Sequence, residues 1–530
     1  MADQSEGQMA DQSEGQTGTE LFTSYGGKSY TKTKSYTKPK RPTKRYVSYS
    51  SDMSSASSSI PLTSSKLSTS TGTTQYALVP SSYYIDNIIP SLGPDCPDSI
   101  DLDSIDPPKI CVLFNNDDGK LADEYKQVSD KVNSAKDKLE TIYQVTPNAG
   151  NIMYHIDLYT DLKYELKKQY NFVISTNASL KLYEMIIHHD LVSKILAHNN
   201  STIGSKKNSF LAFHNAELPG AFIMAMQKYM DVTYKSVDKT GQIKPTYDWR
   251  ACSYFPADAK NTGDNNILED QYKVYAHNRD KWLMGPKPNG LISDDTITGN
   301  VMDRGVIEKI ADTIQSLGGA DLYTSDIGIN VSSDYNKQEE LTAILNYGQI
   351  ICGLLTLADK GNMIVKTYTF NQPFSRSLII MLTAMFEILH ITKPPTSRPA
   401  NSEIYIIGER FKKETLTDVL REKLLSLLAF YEKQYVSNNM SHSSGRSHSS
   451  GRSPCDFMPI IPLTKYVDID RELLKSAKEI HESQQVTLLN KAVELFNTYK
   501  TNMKSLEYKL RPLKREKTYE YIVHNKLNTM

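Results

Sequence analysis

Three charged residues stand where short β-rich runs end or begin. Asp326 lies in Thr324-Ser325-Asp326-Ile327-Gly328, Lys366 in Ile364-Val365-Lys366-Thr367, and Glu403 in Asn401-Ser402-Glu403-Ile404-Tyr405. Charges at the ends of successive strands of one sheet converge on one edge, where α/β sheets build their sites. A lysine flanked by carboxylates can steer a hydroxyl or take its proton, provided that burial or a second cation favours the neutral amine. A further feature is Glu217-Leu218-Pro219-Gly220-Ala221-Phe222, directly after the apolar run Phe210 to Phe213. A turn at the end of a first strand is a nucleotide-binding position, and Gly220 and Ala221 let backbone approach a ligand closely. Any one of these is as easily a solvated strand boundary or an ordinary Pro-Gly turn. Their joint placement points to a site.

The elements that must position them are read from periodicity. Phe210 to Phe213, Ala320 to Thr324, Met363 to Val365 and Ile404 to Ile407 read as strands. Between them, Val306, Ile307, Ile310, Ala311, Ile314 and Leu317 share one helical face, closed by Gly318-Gly319. Helices are also expected over about 338–358 and 375–389, with a turn at Asp359-Lys360-Gly361-Asn362. Alternating strands and helices imply an α/β fold, a mainly parallel Rossmann-like sheet with helices on both faces. Helical patterns at 121–143 and 152–170 precede this region. Further ones follow it, with Leu420, Leu424, Leu427 and Leu428 in register and an amphipathic stretch over 470–510. That last stretch is expected to pack on the domain rather than bind a partner helix.

The 530 residues divide into a tail (1–75), a helical extension (76–169), a central domain (170–415) and a helical C-terminal region (416–530). The tail opens on a tandem MADQSEGQ, and its segment 21–50 interleaves lysine and arginine with tyrosine and holds no acid. It buries too little apolar surface to order and is expected to be disordered. A solvated packaging or localisation tail is the first reading, a grip on RNA the second. A tandem SHSSGR lies in a low-complexity insertion at 436–455. Lys+Arg and Asp+Glu both number 61, so net charge alone indicates no nucleic acid. The five cysteines show no zinc-like spacing, His188-His189 is rejected as a metal site, and no metal is expected. Trp282 is expected in packing rather than in base stacking. With no apolar run of membrane-spanning length and no secretory signal, the chain reads as intracellular, without a membrane partner.

Residues 320–408 resemble the FtsJ/RrmJ-like methyltransferases, above all the cap-specific mRNA 2′-O-methyltransferases of eukaryotes and large DNA viruses. The likeness runs through DLYTSDIGIN, the stretch from Asn336 to Ser375, and most specifically Lys393-Pro394 and Thr396-Ser397-Arg398-Pro399-Ala400-Asn401-Ser402-Glu403. With the turn at 217–222 it covers about 170–410. The resemblance implies a Rossmann-like fold, S-adenosyl-L-methionine as methyl donor, and transfer to a ribose 2′-hydroxyl of RNA, most specifically capped mRNA. It implies a Lys-Asp-Lys-Glu tetrad: Asp326, Lys366 and Glu403, with Lys181 in Asn177-Ala178-Ser179-Leu180-Lys181 as the first lysine, ahead of Lys206 or Lys207. In this reading Lys181 lowers the pKa of Lys366, and the carboxylates orient both amines. The donor is expected against Glu217 to Phe222, Asp326 and Asn300, the last replacing a strand-end aspartate. Leu218 replaces a frequent glycine. Arg398, Asn401 and Ser402 are expected to hold RNA.

Two other readings stay open: methylation of ribosomal or other structured RNA, and a non-catalytic RNA-binding or virion protein that keeps the fold. Other capping or transcription proteins are expected as partners. Tandem duplications and 33 tyrosines fit a genome tolerant of repeat expansion, such as that of a large DNA virus acting in host cytoplasm.

Overall fold

The structure is a computed structural model that describes residues 85–89, 119–145, 151–201, 209–234, 245–255, 269–284, 297–328, 335–398, 400–443 and 459–527. All of these lie within one compact unit, 77–530. The tail, Lys206, Lys207 and the insertion beyond Ser443 fall outside the described residues.

A seven-stranded sheet organises the chain: β1 (Ile85–Ile89), β2 (Ser209–Asn215), β3 (Thr246–Ala251), β4 (Ala320–Ser325), β5 (Leu357–Thr367), β6 (Phe386–Lys393) and β7 (Ile404–Phe411), in the order β1-β6-β7-β5-β4-β2-β3. Strands β3, β2, β4 and β5 are parallel, whereas β7 runs antiparallel to both β5 and β6. Consecutive residues of β2, β4, β5 and β7 are buried, as in strands covered on both faces. The α/β reading thus holds, with a mixed sheet rather than a parallel one. Among the described residues no helix joins β6 to β7, and a short loop can return the chain only antiparallel. That reversal brings the start of β7, with Glu403 just before it, to the edge where β4 and β5 end.

Three local expectations differ. The helix expected to reach 389 stops at Met385, and Phe386 to Lys393 is a strand. A short apolar run does not distinguish a buried strand from a helix end. The expected turn at 359–362 is a bulge inside β5, where Lys360 is left-handed (φ +58°) and the pairing with β4 shifts between Ala320 and Leu322. The helix expected over 152–170 is two, α2 (Asn151–Ile156) and α3 (Thr160–Gln169). Neither β1 nor β3 was anticipated.

The helices beyond the sheet's own crossovers extend the main core or form two smaller apolar clusters beside it, around Ile152 with Phe496 and around Leu139 with Leu489. Helix α1 (Gly119–Val145) precedes α2 and α3, and α4 (Asn177–His189), α5 (Ser193–Ser201) and α6 (Ala221–Thr233) follow. A short α7 (Val274–His277) leads to α8 (Arg304–Ser316), α9 (Gln338–Thr356) and α10 (Pro373–Met385). The C-terminal region holds α11 (Asp418–Ser443), α12 (Val467–Ala477), a π-helical stretch (Lys478–Gln485), α13 (Val486–Tyr499) and α14 (Met503–His524). The amphipathic stretch expected over 470–510 packs on the domain. Asp470 of α12 pairs with buried Arg376 of α10 at 2.6 Å and accepts from Tyr125 of α1 at 3.0 Å. Trp282 is fully buried against Trp249 and Tyr275, as expected of a packing residue. Among the described residues no helix is long and apolar enough to cross a membrane.

Candidate active site

Helix α4 begins at a capping box, in which Thr176 accepts from the Ser179 amide and the Ser179 hydroxyl accepts from the Thr176 amide. This fixed start sets Lys181 in the second turn, aimed at the sheet edge. Its Nζ donates to Glu403 Oε1 at 2.8 Å, and both groups are buried. A second pair lies beside the first: Lys366 Nζ is 3.1 Å from Asp326 Oδ1 and donates to the Asp326 carbonyl at 2.9 Å. Tyr405 joins the pairs, with its hydroxyl donating to Asp326 Oδ1 at 2.8 Å and its ring 5.3 Å from Lys181 Nζ. The structure therefore brings Lys181, Asp326, Lys366 and Glu403 together at one edge, from α4 and the ends of three adjacent strands.

The electrostatics differ from the expectation in one respect. Burial pushes the Lys366 amine down, but Asp326 above all, then Tyr368 and Glu403, outweigh it and hold the ammonium well above the usual lysine range. The expected lowering of Lys366 by Lys181 is not found: Asp326, Tyr368 and Glu403 are the groups that act on this amine, and the Lys181 ammonium is paired with Glu403. Glu403 is drawn below the usual carboxylate range: burial opposes its charge, but Lys181, Lys366 and Lys393 more than compensate.

Beside this cluster, the chain leaves β2 for β3 on one side and returns to β4 on the other. The crevice at the ends of β2 and β4 is the topological switch point of the sheet. Its floor is the turn 216–220, tied to the end of β3 by Glu217 N donating to Cys252 O at 3.1 Å and Leu218 N to Ser253 Oγ at 2.8 Å. Leu218, buried, is accommodated by this tie. Glu217 Oε1 accepts from the amides of Phe222 (2.7 Å) and Ile223 (2.9 Å), so it caps the first turn of α6. Burial pushes this carboxyl up to about 8 against those two bonds. The fold itself requires a glycine at 220: its φ is +102°, and a Cβ there would lie 2.7 Å from Val274. Asn300 is not at a strand end. It follows Gly299, whose absent Cβ allows contact with the Ser253 carbonyl, so it sits beside the end of β3. Asn300 Oδ1 accepts from Met302 N at 3.1 Å.

A family model for FtsJ-like methyltransferases matches residues 174–411, the span that holds all four charged residues and the crevice. A probable methyltransferase of African swine fever virus is 32% identical over 422 residues, covering 79% of this chain and 85% of that protein. The chain belongs to the FtsJ-like methyltransferase family. An uncharacterized protein of Acanthamoeba polyphaga mimivirus is 33% identical over 260 residues, 48% of this chain and 29% of that one. A cap-specific mRNA (nucleoside-2′-O-)-methyltransferase 2 of Drosophila melanogaster is 28% identical over 256 residues, 48% of this chain and 32% of that one.

The methyl donor of this FtsJ-like methyltransferase is S-adenosylmethionine, and the crevice suits it. The donor carries an ammonium and a ribose diol, which need acceptors, and an adenine. Asp326, with its side chain 18% exposed, offers a carboxylate at the mouth. Asn300 Nδ2, with no acceptor among the described residues, is a donor at the β3 side. We expect Glu217→Ala to cost about 1–2 kcal/mol as a lost helix cap. It should also weaken donor binding, measured by calorimetric titration beside the urea midpoint.

The methyltransferase holds the loop 394–403 from three sides, mostly through residues that the sequence did not single out. Lys393 Nζ donates to Asn401 O (2.8 Å), Asn401 Oδ1 (2.7 Å) and Glu403 O (2.7 Å). Burial, partly offset by Glu403, brings this amine down to about 7. Glu184, one turn after Lys181, accepts from the amide and hydroxyl of Thr396 at 3.2 and 2.5 Å. From the π-helical stretch, Gln485 Nε2 donates to Ala400 O (3.1 Å) and Ser402 Oγ (3.0 Å), itself held by His481 Nδ1 at 2.9 Å from Gln485 Oε1. Asn401 and Ser402 are thus engaged within the protein, and Arg398 is the exposed member of the expected RNA-contacting set. Lys393 and Glu184 were findable, the first in the quoted Lys-Pro pair and the second at helical spacing from Lys181. Nothing in the sequence links Gln485 to residue 402. Gln485→Leu should lose about 1–3 kcal/mol, since it leaves the Ala400 carbonyl and His481 without their partner. A lowered denaturant midpoint at unchanged slope would show it.

His189 lies on α4 away from this site, with His390 and Glu409, three potential ligand atoms within 4.8 Å of one another. The Glu409 carboxylate is already bonded to His390 (3.0 Å) and Lys194 (2.8 Å).

Proposed function

We propose that the protein transfers a methyl group from S-adenosylmethionine to a ribose 2′-hydroxyl of RNA, at the cap-proximal nucleotide of mRNA. The observation that carries the reading is the double lysine–carboxylate pair bridged by Tyr405 beside the switch-point crevice. A ribose hydroxyl is a poor nucleophile whose proton must leave as its oxygen forms the new bond to carbon. The name of the Drosophila relative supports the cap and 2′-O assignment, and the viral relatives support action in infected-cell cytoplasm.

The bound donor supplies an electrophilic methyl on a positively charged sulfur. Lys366 accepts the hydroxyl proton as the oxygen–carbon bond forms and the carbon–sulfur bond breaks. It must first be neutral, and it becomes easier to deprotonate when a sulfonium charge lies beside it. Asp326 and the Asp326 carbonyl aim its amine. Lys181 is held in place at the same edge by Glu403, which balances its charge. Glu403 is in turn oriented by Ser397 Oγ at 2.8 Å. Much of the rate gain in this scheme comes from holding the two substrates in line. In this scheme Arg398, exposed on the loop, contacts a phosphate.

The test is transfer from radiolabelled S-adenosylmethionine to capped and uncapped short RNAs, followed by nuclease mapping. Label at a 2′-oxygen next to the cap, dependent on the cap, is the expected result. Label on a base, or on no RNA by a folded and donor-binding protein, would overturn the reading.

A further inference from the structure

A cleft of about 550 Å³ opens between α1 and the start of α9, floored by the segment that leaves β5. It adjoins the active site. Thr369 and Asn371 on its floor follow Lys366 by three and five residues, and Gln338 on its wall lies beside Tyr368, which Lys366 also influences. The volume falls in the range of small-ligand pockets, about 300–1,000 Å³, and has room for a nucleotide rather than a protein segment.

Its lining suits part of a nucleic-acid strand. Lys126 of α1 and Lys337 ahead of α9 stand on opposite walls, both exposed and neither ion-paired among the described residues. Asn371 is only 8% exposed and donates through Nδ2 to Ser129 of α1 at 2.9 Å, while its Oδ1 has no hydrogen-bond partner. A buried acceptor left in this state costs stability unless something donates to it. Of the acidic groups in the lining, Glu339 is occupied by the amides of Asn371 and Gln372 at 3.1 and 2.8 Å; Asp130 and Glu340 also line the cleft. Helix α1 lies outside the family-matched span 174–411. One wall of the cleft is therefore added to the family-matched domain, within the longer span that the African swine fever virus relative also matches.

We propose that the cleft seats a nucleotide of the substrate RNA adjoining the one that is methylated, with Lys126 and Lys337 on its phosphates and Asn371 accepting from its hydroxyl or base amine. This rests on RNA being the substrate, and the experiment separates the two. The full chain is titrated into fluorescently labelled single-stranded RNAs of two to ten nucleotides across a salt series, alongside a Lys126→Ala/Lys337→Ala variant. We expect the variant to bind the longer RNAs about tenfold more weakly at low salt, with a salt slope shallower by about 0.7 for each lost phosphate contact. Binding of S-adenosylmethionine should be unchanged in the same variant, because neither lysine reaches the crevice. Equal affinity and equal slope for variant and wild type would overturn the cleft assignment while leaving the methyl-transfer reading intact. Lysine-dependent RNA binding by a wild type that methylates no RNA would uphold the cleft and sink the proposed reaction. No RNA binding at all would sink both.

Discussion

Lys366→Ala is expected to lower kcat by about 10²–10⁴-fold, the usual contribution of a positioned proton acceptor. KM for RNA should change little, because the amine acts on the reacting proton rather than on the strand. Lys366→Arg should not restore activity: a guanidinium matches the Asp326 carboxylate but cannot give up its proton. The pH profile carries a second signature. In the ligand-free site Asp326 holds Lys366 above its usual range. The neutral fraction, and with it log kcat/KM, should therefore rise with pH through the neutral region. The linked stability runs the other way. A raised lysine pKa stabilises the folded state fully below the unfolded value, about 10.4, and that stabilisation is lost as pH rises through the folded one. A Lys366→Ala enzyme with wild-type kcat and an unchanged profile would remove Lys366 from the chemistry.

Glu403→Ala is expected to be the most damaging single change to the fold at this edge. It leaves Lys181 without its partner and takes an anion away from Lys366 and Lys393, all buried. Breaking a buried ion pair from one side costs about 3–5 kcal/mol. Glu403→Gln keeps an acceptor for Ser397 and Lys181, so it should lose less stability. It should still lose activity, because Lys181 is then no longer neutralised. The sign of the pH dependence follows from the depressed carboxyl. Its stabilisation is present above the unfolded value of about 4.3 and disappears as pH falls through the folded one. Urea unfolding at pH 7 should therefore separate wild type from Glu403→Ala widely, and the gap should narrow in acid. A gap independent of pH would mean that lost packing, not lost charge, explains the change.

Much of the site was legible because it lies at points where local rules speak clearly. Asp326 and Lys366 close apolar strand runs, and Glu403 opens one, so the limits of those runs place them at strand ends. The turn at 217–222 follows a strand with a helix-forming run behind it, and it became the capped start of α6. Lys181 was assigned by resemblance alone, and the structure sets it on Glu403 across 222 residues of sequence. Illegible were the residues whose role depends on a partner remote in the chain. Gln485 lies in a region with ordinary helical periodicity, and nothing local shows that it reaches Ser402. The strand β6 was hidden because Phe386 to Leu389 extends the apolar run of a helix, and only pairing with β7 and β1 makes it extended.

By itself the sequence determined which residues are charged, where strands and helices alternate, and hence that several charges meet one sheet edge. These follow from backbone periodicity and burial, which act over a few residues. Tertiary structure decided the rest. The antiparallel return of β7 carried Glu403 to the edge shared by β4 and β5. The packing of α4 chose Glu403, not Asp326, as the partner of Lys181. The protonation of Lys366 was settled by which carboxylate lies within 3.1 Å of it. The physical reason is the steepness of electrostatics in a buried site: a difference of a few ångströms reverses the sign of a pKa shift, and no spacing along the chain specifies distances of that kind.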